Sequence, residues 1–464
     1  MPDLISPDAI RTLFSRAMSD MYRREVPQYG ALIDLVAEVN AETLAADPDL
    51  HARLAAAGEL ERLDEERHGA IRLGTAQELA QIRRVFAVMG MEPVGYYDLS
   101  VAGIPVHSTA FRPTDGAALA TNPFRVFTSL LRLELVEDRA LAERAAEILS
   151  SRRILTEPAL ELTTRAEAQG GLSASEARAF VAEVLETFRW RGEALVDAET
   201  YARLHDAHRL IADVVSFPGP HINHLTPRTL DIDAVQRRMP GRGIAPKAVI
   251  EGPPRRRVPL LLRQTSFKAL EEEVRFRGAS QAGTHTARFG EIEQRGVALT
   301  PKGRALYDRL LAGTRAAAPI APDGTGAQAY VDTLEARFAA IPDDADCLRR
   351  EGLAFVRYRA VPEAAPAVAD SVEALIASGA LVADPQVYED FLPVSAAGIF
   401  QSNLGTESAA AYSAAASRAA FEEALGAEVP DEMALYERAE RDSLEAALLA
   451  LGRPDLSQAP RRVA

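Results

Sequence analysis

The chain has 464 residues, of which 47% are hydrophobic and 26% are charged. These proportions are typical of globular proteins and exclude wholesale disorder, while the length predicts two or three domains with a sizeable core. The 52 basic and 67 acidic residues give a formal charge of −15, which argues against non-specific binding to nucleic acid or to an anionic membrane surface.

A cytoplasmic location is expected from three features of the sequence. Cys347 is the single cysteine, so neither an internal disulfide nor a thiolate metal cluster can form, and this fits a reducing compartment. The first residues lack a basic stretch followed by an apolar one, which argues against a signal peptide. No apolar run approaches the roughly 18 residues that a membrane span requires.

The first segment, residues 1–64, is predicted to form a helical cover. Ser6 followed by Pro7 is typical of a helix start, with a capping residue before proline at the first helical position. Apolar residues then recur at helical spacing, and a second helix is predicted over 29–44.

The second segment, residues 65–137, changes character and predicts a βαβββ module. Its first strand ends at Gly74, and Thr75 can cap the helix that follows. The predicted elements are a strand over 67–74, a helix over 76–89, and strands over 93–99, 104–111 and 124–136.

The third segment, residues 138–219, is predicted to be a helical insertion, with helices over 139–149, 173–188 and 199–215. The βαβββ order then recurs over 220–300. Its predicted elements are a strand over 221–226, a helix over 231–239, and strand-like stretches over 247–251, 258–263 and 284–299.

The last segment, residues 301–464, is predicted to be mainly helical, including helices over 407–425 and 431–451. It also contains a loop near 391–404, which is neither helical nor alternating and is rich in small residues. Such a loop can bring its backbone close to a ligand. The whole pattern predicts an α+β fold with two βαβββ modules and helical N-terminal, inserted and C-terminal segments.

Two of the eight histidines stand out by their position in this pattern. His68 and His224 each lie on the first strand of a module, so pairing of the modules about a pseudo-twofold axis would bring them together. His205 and His208 share a face of a polar helix and are interpreted as solvated. His107 and His285 lie on predicted strands and could be satisfied core or pocket residues.

An acidic pair on the last strand of the second module could complete a metal site. Glu291 and Glu293 face the same side of their strand, and two buried carboxylates without a partner would be costly. Two histidines and one carboxylate suit Fe(II) and oxygen chemistry, although Zn(II) and Mn(II) also accept such ligands. Structural histidines and exposed glutamates remain the alternative.

Arg72 follows His68 by four residues and therefore lies on the same face of that strand. A guanidinium beside a metal would not bind the ion, but its geometry suits the carboxylate of a substrate. The alternative is a surface ion pair with the acidic cluster at 64–66.

Four blocks in order resemble the 2-oxoadipate dioxygenase/decarboxylase family, also called hydroxyglutarate synthase. They are EERHGAIR at 65–72, GPHINHLT at 219–226, FGEIEQRG at 289–296 and FLPVSAAGIFQ at 391–401. The resemblance implies the vicinal-oxygen-chelate fold, in which two modules form a half-open barrel.

The resemblance also implies the site and the reaction. Fe(II) would be bound by His68, His224 and a glutamate. The string from Glu291 is also similar to the iron-binding strand of 4-hydroxyphenylpyruvate dioxygenase, where the first glutamate binds, so Glu291 is chosen and Glu293 kept in reserve. Arg72 would bind the substrate, and Val394 would contact it through its backbone.

The implied reaction is the oxidative decarboxylation of 2-oxoadipate with O2 to D-2-hydroxyglutarate and CO2, a step in lysine breakdown. Two other functions remain open from the residues alone. One is another metal-dependent enzyme on the same scaffold, such as an isomerase or lyase, or a dioxygenase of a different 2-oxo acid. The other is a metabolite-binding protein without activity, against which the absence of a recognisable DNA-binding module argues.

Overall fold

The structure is a computed structural model that describes residues 3–286, 288–321, 324–364, 369–392 and 410–458. The chain forms two compact units. The first comprises Met1–Lys247, Thr265–Glu293 and Phe391–Val429, and the second comprises Ala248–Gln264, Gln294–Asp390 and Pro430–Ala464. The five segment boundaries drawn from the sequence stay predictions.

The helices follow the predicted distribution, with groups before, between and after the strands. In chain order they are α1 (Pro7–Glu25), α2 (Pro27–Ala46), α3 (Pro48–Ala56), α4 (Ala76–Val88), α5 (Gly116–Thr121), α6 (Arg139–Ser151), α7 (Glu157–Gln169), α8 (Ala174–Phe188), α9 (Ala198–Ala207), α10 (Arg209–Ser216), α11 (Ile232–Arg238), α12 (Pro301–Ala317), α13 (Ala327–Phe338), α14 (Ala345–Arg350), α15 (Val372–Ala377), α16 (Ala410–Leu425) and α17 (Glu432–Ala450).

The strands are short, as expected for a mixed fold. In chain order they are β1 (Leu4–Ile5), β2 (Arg67–Leu73), β3 (Glu92–Asp98), β4 (Val106–Arg112), β5 (Arg125–Leu131), β6 (Leu172–Ser173), β7 (His224–Pro227), β8 (Leu262–Ser266), β9 (Glu271–Val274), β10 (Gly283–Thr286), β11 (Phe289–Arg295), β12 (Val356–Ala360) and β13 (Leu381–Pro385).

Capping explains where the N-terminal helices begin. The Ser6 hydroxyl accepts a hydrogen bond from the Ala9 N–H at 3.2 Å, with proline at the first helical position of α1. The buried face of α1 includes Phe14 and Met18, both fully shielded from solvent. The predicted N-terminal helices are therefore confirmed.

A seven-stranded sheet joins the two modules in the order β3-β4-β5-β2-β7-β11-β8. β2 is parallel to β5 and antiparallel to β7, with His68 opposite Thr226 and Gly69 opposite Leu225. β7 is parallel to β11, with Phe289 opposite His224. The first strands of the two modules are thus neighbours, and the α+β class with a half-open barrel is confirmed.

The second module differs from the predicted four-stranded pattern. It contributes β7, β8 and β11 to the sheet, while β9 and β10 form a separate antiparallel hairpin. The reason lies in the sequence of β9, where Glu271 and Glu273 are exposed and cannot line a core. The stretch predicted as a strand over 247–251 makes only an isolated bridge. The stretch predicted over 258–263 does the same as far as Leu260.

One predicted helix of the insertion is two helices. His208 has extended backbone angles and caps α10, where its Nδ1 accepts a hydrogen bond from the Leu210 N–H at 3.1 Å. The interpretation of His205 and His208 as neighbours on one helix face is therefore wrong.

The second unit contains an element that the sequence did not predict. β12 and β13 form an antiparallel hairpin, with Val356 opposite Pro385 and Ala360 opposite Leu381. The hairpin contacts α17 through Tyr358, whose N–H donates to the Ser443 hydroxyl at 3.1 Å. Among the described residues, no helix combines the length and the hydropathy needed to cross a membrane.

Candidate metal and substrate site

Three neighbouring strands place His68, His224 and Glu291 on one face of the sheet. His68 lies opposite Thr226 across the joint between modules, and residues two apart on a strand face the same side, so His224 shares that face. Glu291 follows Phe289 by two residues, and Phe289 lies opposite His224. Strand pairing alone therefore brings together three side chains that are far apart in the sequence.

The distances within this group are short. One oxygen of Glu291, Oε2, lies 3.2 Å from His68 Nε2 and 3.6 Å from His224 Nε2. The three residues offer ligand atoms that all lie within 4.8 Å of one another, and the two imidazole rings are 5.5 Å apart and nearly perpendicular. Ligands that share an ion at about 2.1 Å lie at most about 4.2 Å apart, and both carboxylate distances fall below that limit.

Glu293, the reserve ligand of the sequence prediction, lies on the other side of His68. Its Oε2 is 3.0 Å from His68 Nδ1, although the contact does not meet the geometry of a hydrogen bond. Its Oε1 is 3.6 Å from Arg125 Nη1. Glu293 is thus placed to orient His68, as a carboxylate behind a metal-binding histidine commonly does.

The pKa values of the two imidazoles are shifted in opposite directions. For His68, burial favours the neutral form, but Glu293 and Glu291 outweigh it and raise the pKa. For His224, burial, the charge of His68 and the charge of Arg72 lower the pKa well below its usual value. His224 is therefore neutral, which is the form that binds metals.

His224 also supplies an observation that tests the fit of a metal. It is fully buried, yet neither of its ring nitrogens makes a hydrogen bond within the described part of the chain. Leaving buried polar atoms unsatisfied is costly, and a divalent cation held with His68 and Glu291 would satisfy one of them. The residues present fit a metal that accepts two imidazoles and a carboxylate.

A buried ionic network supports this face of the sheet. Glu66, which is fully buried, accepts hydrogen bonds from Arg125 at 3.0 Å and from Arg228 at 3.0 Å. Arg228 also pairs with Glu59 at 2.7 Å. Since Arg125 contacts both Glu66 and Glu293, the network extends to the carboxylate behind His68.

Arg72 lies on the same strand and face as His68, as predicted. Its Nη1 donates to Asp213 Oδ2 at 2.6 Å, and the Arg72 side chain is only 11% exposed. The alternative of a surface ion pair with the acidic cluster at 64–66 is therefore wrong.

Aromatic rings cover the two histidines. The ring of Phe391 lies 4.9 Å from that of His68 and 5.3 Å from that of Phe127, and Phe289 lies 4.9 Å from His224. Such a wall excludes water from the site. Val394, the predicted backbone contact to substrate, lies outside the described residues.

Sequence reasoning missed the carboxylate beside Arg72. Asp213 is the one charged residue in the run 210–215, which is otherwise apolar, and it is buried in α10. A lone carboxylate in an apolar helical run must find a partner, so this signal was available. What the sequence could not supply was the identity of that partner, 141 residues away.

Comparisons with known proteins agree with this arrangement. A family model described as 2-oxoadipate dioxygenase/decarboxylase matches residues 14–403. The chain belongs to this family. The resemblance of the four sequence blocks is thereby confirmed.

Relatives in this family match over nearly their full length. The 2-oxoadipate dioxygenase/decarboxylase of Pseudomonas putida is 58% identical over 455 residues, covering 97% of this chain and 98% of the relative. The protein of the same name from Escherichia coli is 60% identical over 450 residues, covering 96% and 98%. A crystal structure of the hydroxyglutarate synthase from Pseudomonas putida in complex with 2-oxoadipate has a TM-score of 0.92 and 57% identity, covering 97% of this chain and 100% of the other.

Proposed function

We propose that this protein catalyses the Fe(II)-dependent oxidative decarboxylation of 2-oxoadipate with O2 to D-2-hydroxyglutarate and CO2, in lysine breakdown. The observation that carries the proposal is the convergence of His68, His224 and Glu291 on one buried face, with ligand atoms within 4.8 Å of one another. The relative of known structure that binds 2-oxoadipate supports the choice of substrate.

His68, His224 and Glu291 would hold the metal. When bound, Fe(II) with three protein ligands supplies open positions for a chelating 2-oxo acid and for O2. Glu293 would keep His68 oriented through Nδ1. The neutral state of His224, which follows from its lowered pKa, leaves a nitrogen lone pair available without loss of a proton.

Arg72 would bind the carboxylate at the far end of the substrate. Arg72 lies four residues after His68 on β2 and on the same face, so one end of an extended diacid would bind at the metal ligands and the other at the arginine. A charge-assisted bond at this end would fix which carbon lies next to the reacting centre, which is an effect of position.

Phe391 and Phe127 would exclude water from the reacting end. They pack on each other and, through Phe391, on His68. A dry environment strengthens the electrostatic interactions of Arg72 and of the metal ligands.

The proposal is tested by reconstituting the protein with Fe(II) without air, adding 2-oxoadipate, and then admitting O2. Oxygen uptake with formation of 2-hydroxyglutarate and CO2 is expected. His68→Ala and His224→Ala should lose bound iron and turnover, because each removes a ligand. His205→Ala, which alters an exposed histidine, is the matched control and should behave as wild type.

The same experiment separates the competing functions. An isomerase or lyase would convert a substrate without consuming O2, and a binding protein would take up 2-oxoadipate without converting it. Full activity in His68→Ala or His224→Ala would contradict the proposal.

A further inference from the structure

A carboxylate directly behind Arg72 is held from several sides. Asp213 lies on α10 and is only 6% exposed. Its Oδ2 accepts the hydrogen bond from Arg72 Nη1 at 2.6 Å. Its Oδ1 lies 3.0 Å from His285 Nε2 and 3.3 Å from His221 Nε2. Both carboxylate oxygens are therefore engaged, and the plane of the group is fixed.

The contacts of His285 extend this arrangement to a tyrosine. Asp213 Oδ1 can only accept a hydrogen bond, so in a neutral His285 the proton lies on Nε2. His285 Nδ1 then accepts from the Tyr201 hydroxyl at 2.8 Å. The imidazole also stacks on the indole of Trp190, with 6.1 Å between ring centres and 6° between planes. Tyr201, His285, Asp213 and Arg72 thus form a continuous chain of hydrogen bonds.

The elements that carry Arg72 and Asp213 are joined by a separate buried pair. Glu78 accepts from the Gly74 N–H, just beyond the end of β2, at 2.7 Å, and pairs with Arg152 at 2.7 Å. Arg152 donates in turn to the Phe217 carbonyl, just beyond α10, at 3.1 Å. The backbones of β2 and α10 are therefore also linked by contacts that do not involve the pair between Arg72 and Asp213.

The pair fixes the guanidinium of Arg72 directly, through the bond from Nη1 to Asp213 Oδ2. An arginine has several rotatable bonds and would otherwise sample several orientations, whereas a bond to a fixed carboxylate selects one. A guanidinium carries five N–H donors in a planar fork, so it can bind two carboxylates at once. We infer that Asp213 is a positioning residue, which holds Arg72 in the orientation that binds the distal carboxylate of the substrate. This inference rests on the proposed function, since it takes the substrate to be a dicarboxylic 2-oxo acid.

The chain supplies its own reporter for a binding experiment. Trp190 is the single tryptophan and stacks on His285, so its fluorescence reports on this network. Anaerobic titration of the Fe(II)-loaded protein with 2-oxoadipate measures affinity without turnover, and titration with 2-oxohexanoate, which lacks the distal carboxylate, measures the rest of the binding.

Asp213→Asn should weaken 2-oxoadipate binding by about ten- to a hundredfold, the scale of a lost charge-assisted bond. It should leave binding of 2-oxohexanoate and iron content unchanged, and in steady state it should raise KM more than it lowers kcat. In an Arg72→Ala background the same substitution should have no further effect. Asp138→Asn, which alters an exposed carboxylate paired with Arg203 at 3.0 Å, is the control and should match wild type.

A second variant keeps the inference testable if Asp213→Asn misfolds. Tyr201→Phe removes the hydroxyl at the far end of the chain and should lower the preference for 2-oxoadipate over 2-oxohexanoate in the same direction, by a smaller factor. The inference is overturned if both variants keep the wild-type preference, or if Asp213→Asn weakens binding equally with and without Arg72. Failure of the proposed function would look different, because wild-type protein would then take up no O2 with 2-oxoadipate.

Discussion

The two glutamates of β11 have distinct places, although the sequence puts both on one face. Glu291 Oε2 contacts Nε2 of His68 and lies near Nε2 of His224, whereas Glu293 lies at Nδ1 of His68. Period-two alternation could predict that both face inward, but it could not rank them. The choice of Glu291 came from resemblance, and its role as a ligand stays a prediction.

Exchange of each glutamate for glutamine separates the two roles. Glu291→Gln should lose most bound iron, since it removes a ligand charge. Glu293→Gln should keep iron, with an affinity about 10- to 100-fold weaker, because it alters only the group that orients His68. Iron per chain after gel filtration, and competition with a chelator, measure both effects. The reverse ranking would make Glu293 the ligand.

The position of Arg72 could be predicted from the sequence, but its partner could not. Arg72 lies four residues after His68 on the same strand, and this even spacing places both side chains on one face. Asp213 reaches Arg72 only through the packing of α10 near the sheet, and no spacing in the sequence encodes that distance. The local hint was a buried carboxylate in an apolar helix, which signals a partner without naming it.

At the scale of elements, sequence patterns located most helices and strands but missed breaks within them. Residues 199–215 keep a helical period, yet His208 adopts extended angles and caps α10. A capping side chain can end one helix and begin the next without disturbing the apolar pattern. Likewise, the acidic stretch of β9 is compatible with a strand, but its exposed side chains place it outside the main sheet.

The buried pair of Glu78 and Arg152, which links β2, α4 and α10, gives a prediction at the scale of elements. Glu78→Gln removes one charge of a buried pair whose side chains are 4% and 1% exposed. This should lower the free energy of unfolding by about 3–5 kcal/mol, because Arg152 is left as a buried charge without its counterion. Urea unfolding of wild type and variant measures the loss.

The matched control is Glu167→Gln, on α7. Glu167 pairs with Arg84 at 2.6 Å, but the two side chains are 44% and 33% exposed. An exposed pair of this kind contributes about 1 kcal/mol or less. Equal losses in Glu78→Gln and Glu167→Gln would contradict the role given to the buried pair.

At the scale of the whole molecule, element order was enough to predict the duplicated architecture. Pairing of β2 with β7 was expected only if the modules paired about a pseudo-twofold axis, and these two strands are paired in the structure. The hairpin of β12 and β13 escaped prediction because each strand fully buries only its first residue, Val356 in β12 and Leu381 in β13. Strands that bury so little have a weak signal beside the alanine-rich helices around them.

Stability of the whole chain should depend on pH through Glu432, at the start of α17. Burial, the charge of Asp390 and the charge of Asp431 raise its pKa to about 7, against a lowering by Arg304. The folded state therefore holds this proton to higher pH than the unfolded chain, whose value is 4.5. The stabilisation is complete below the unfolded pKa and is lost as the pH rises through about 7.

Glu432→Gln should accordingly be more stable than wild type at pH 8, by on the order of 1–2 kcal/mol after allowance for partial exposure. At pH 5 the two proteins should unfold at nearly the same urea concentration, because the wild-type carboxyl is then protonated and resembles the amide. Glu437→Gln, at an exposed position of the same helix, is the control and should not share this gain. A Glu432→Gln variant whose advantage was the same at both pH values would show that the amide improves packing, and that protonation of Glu432 does not govern stability.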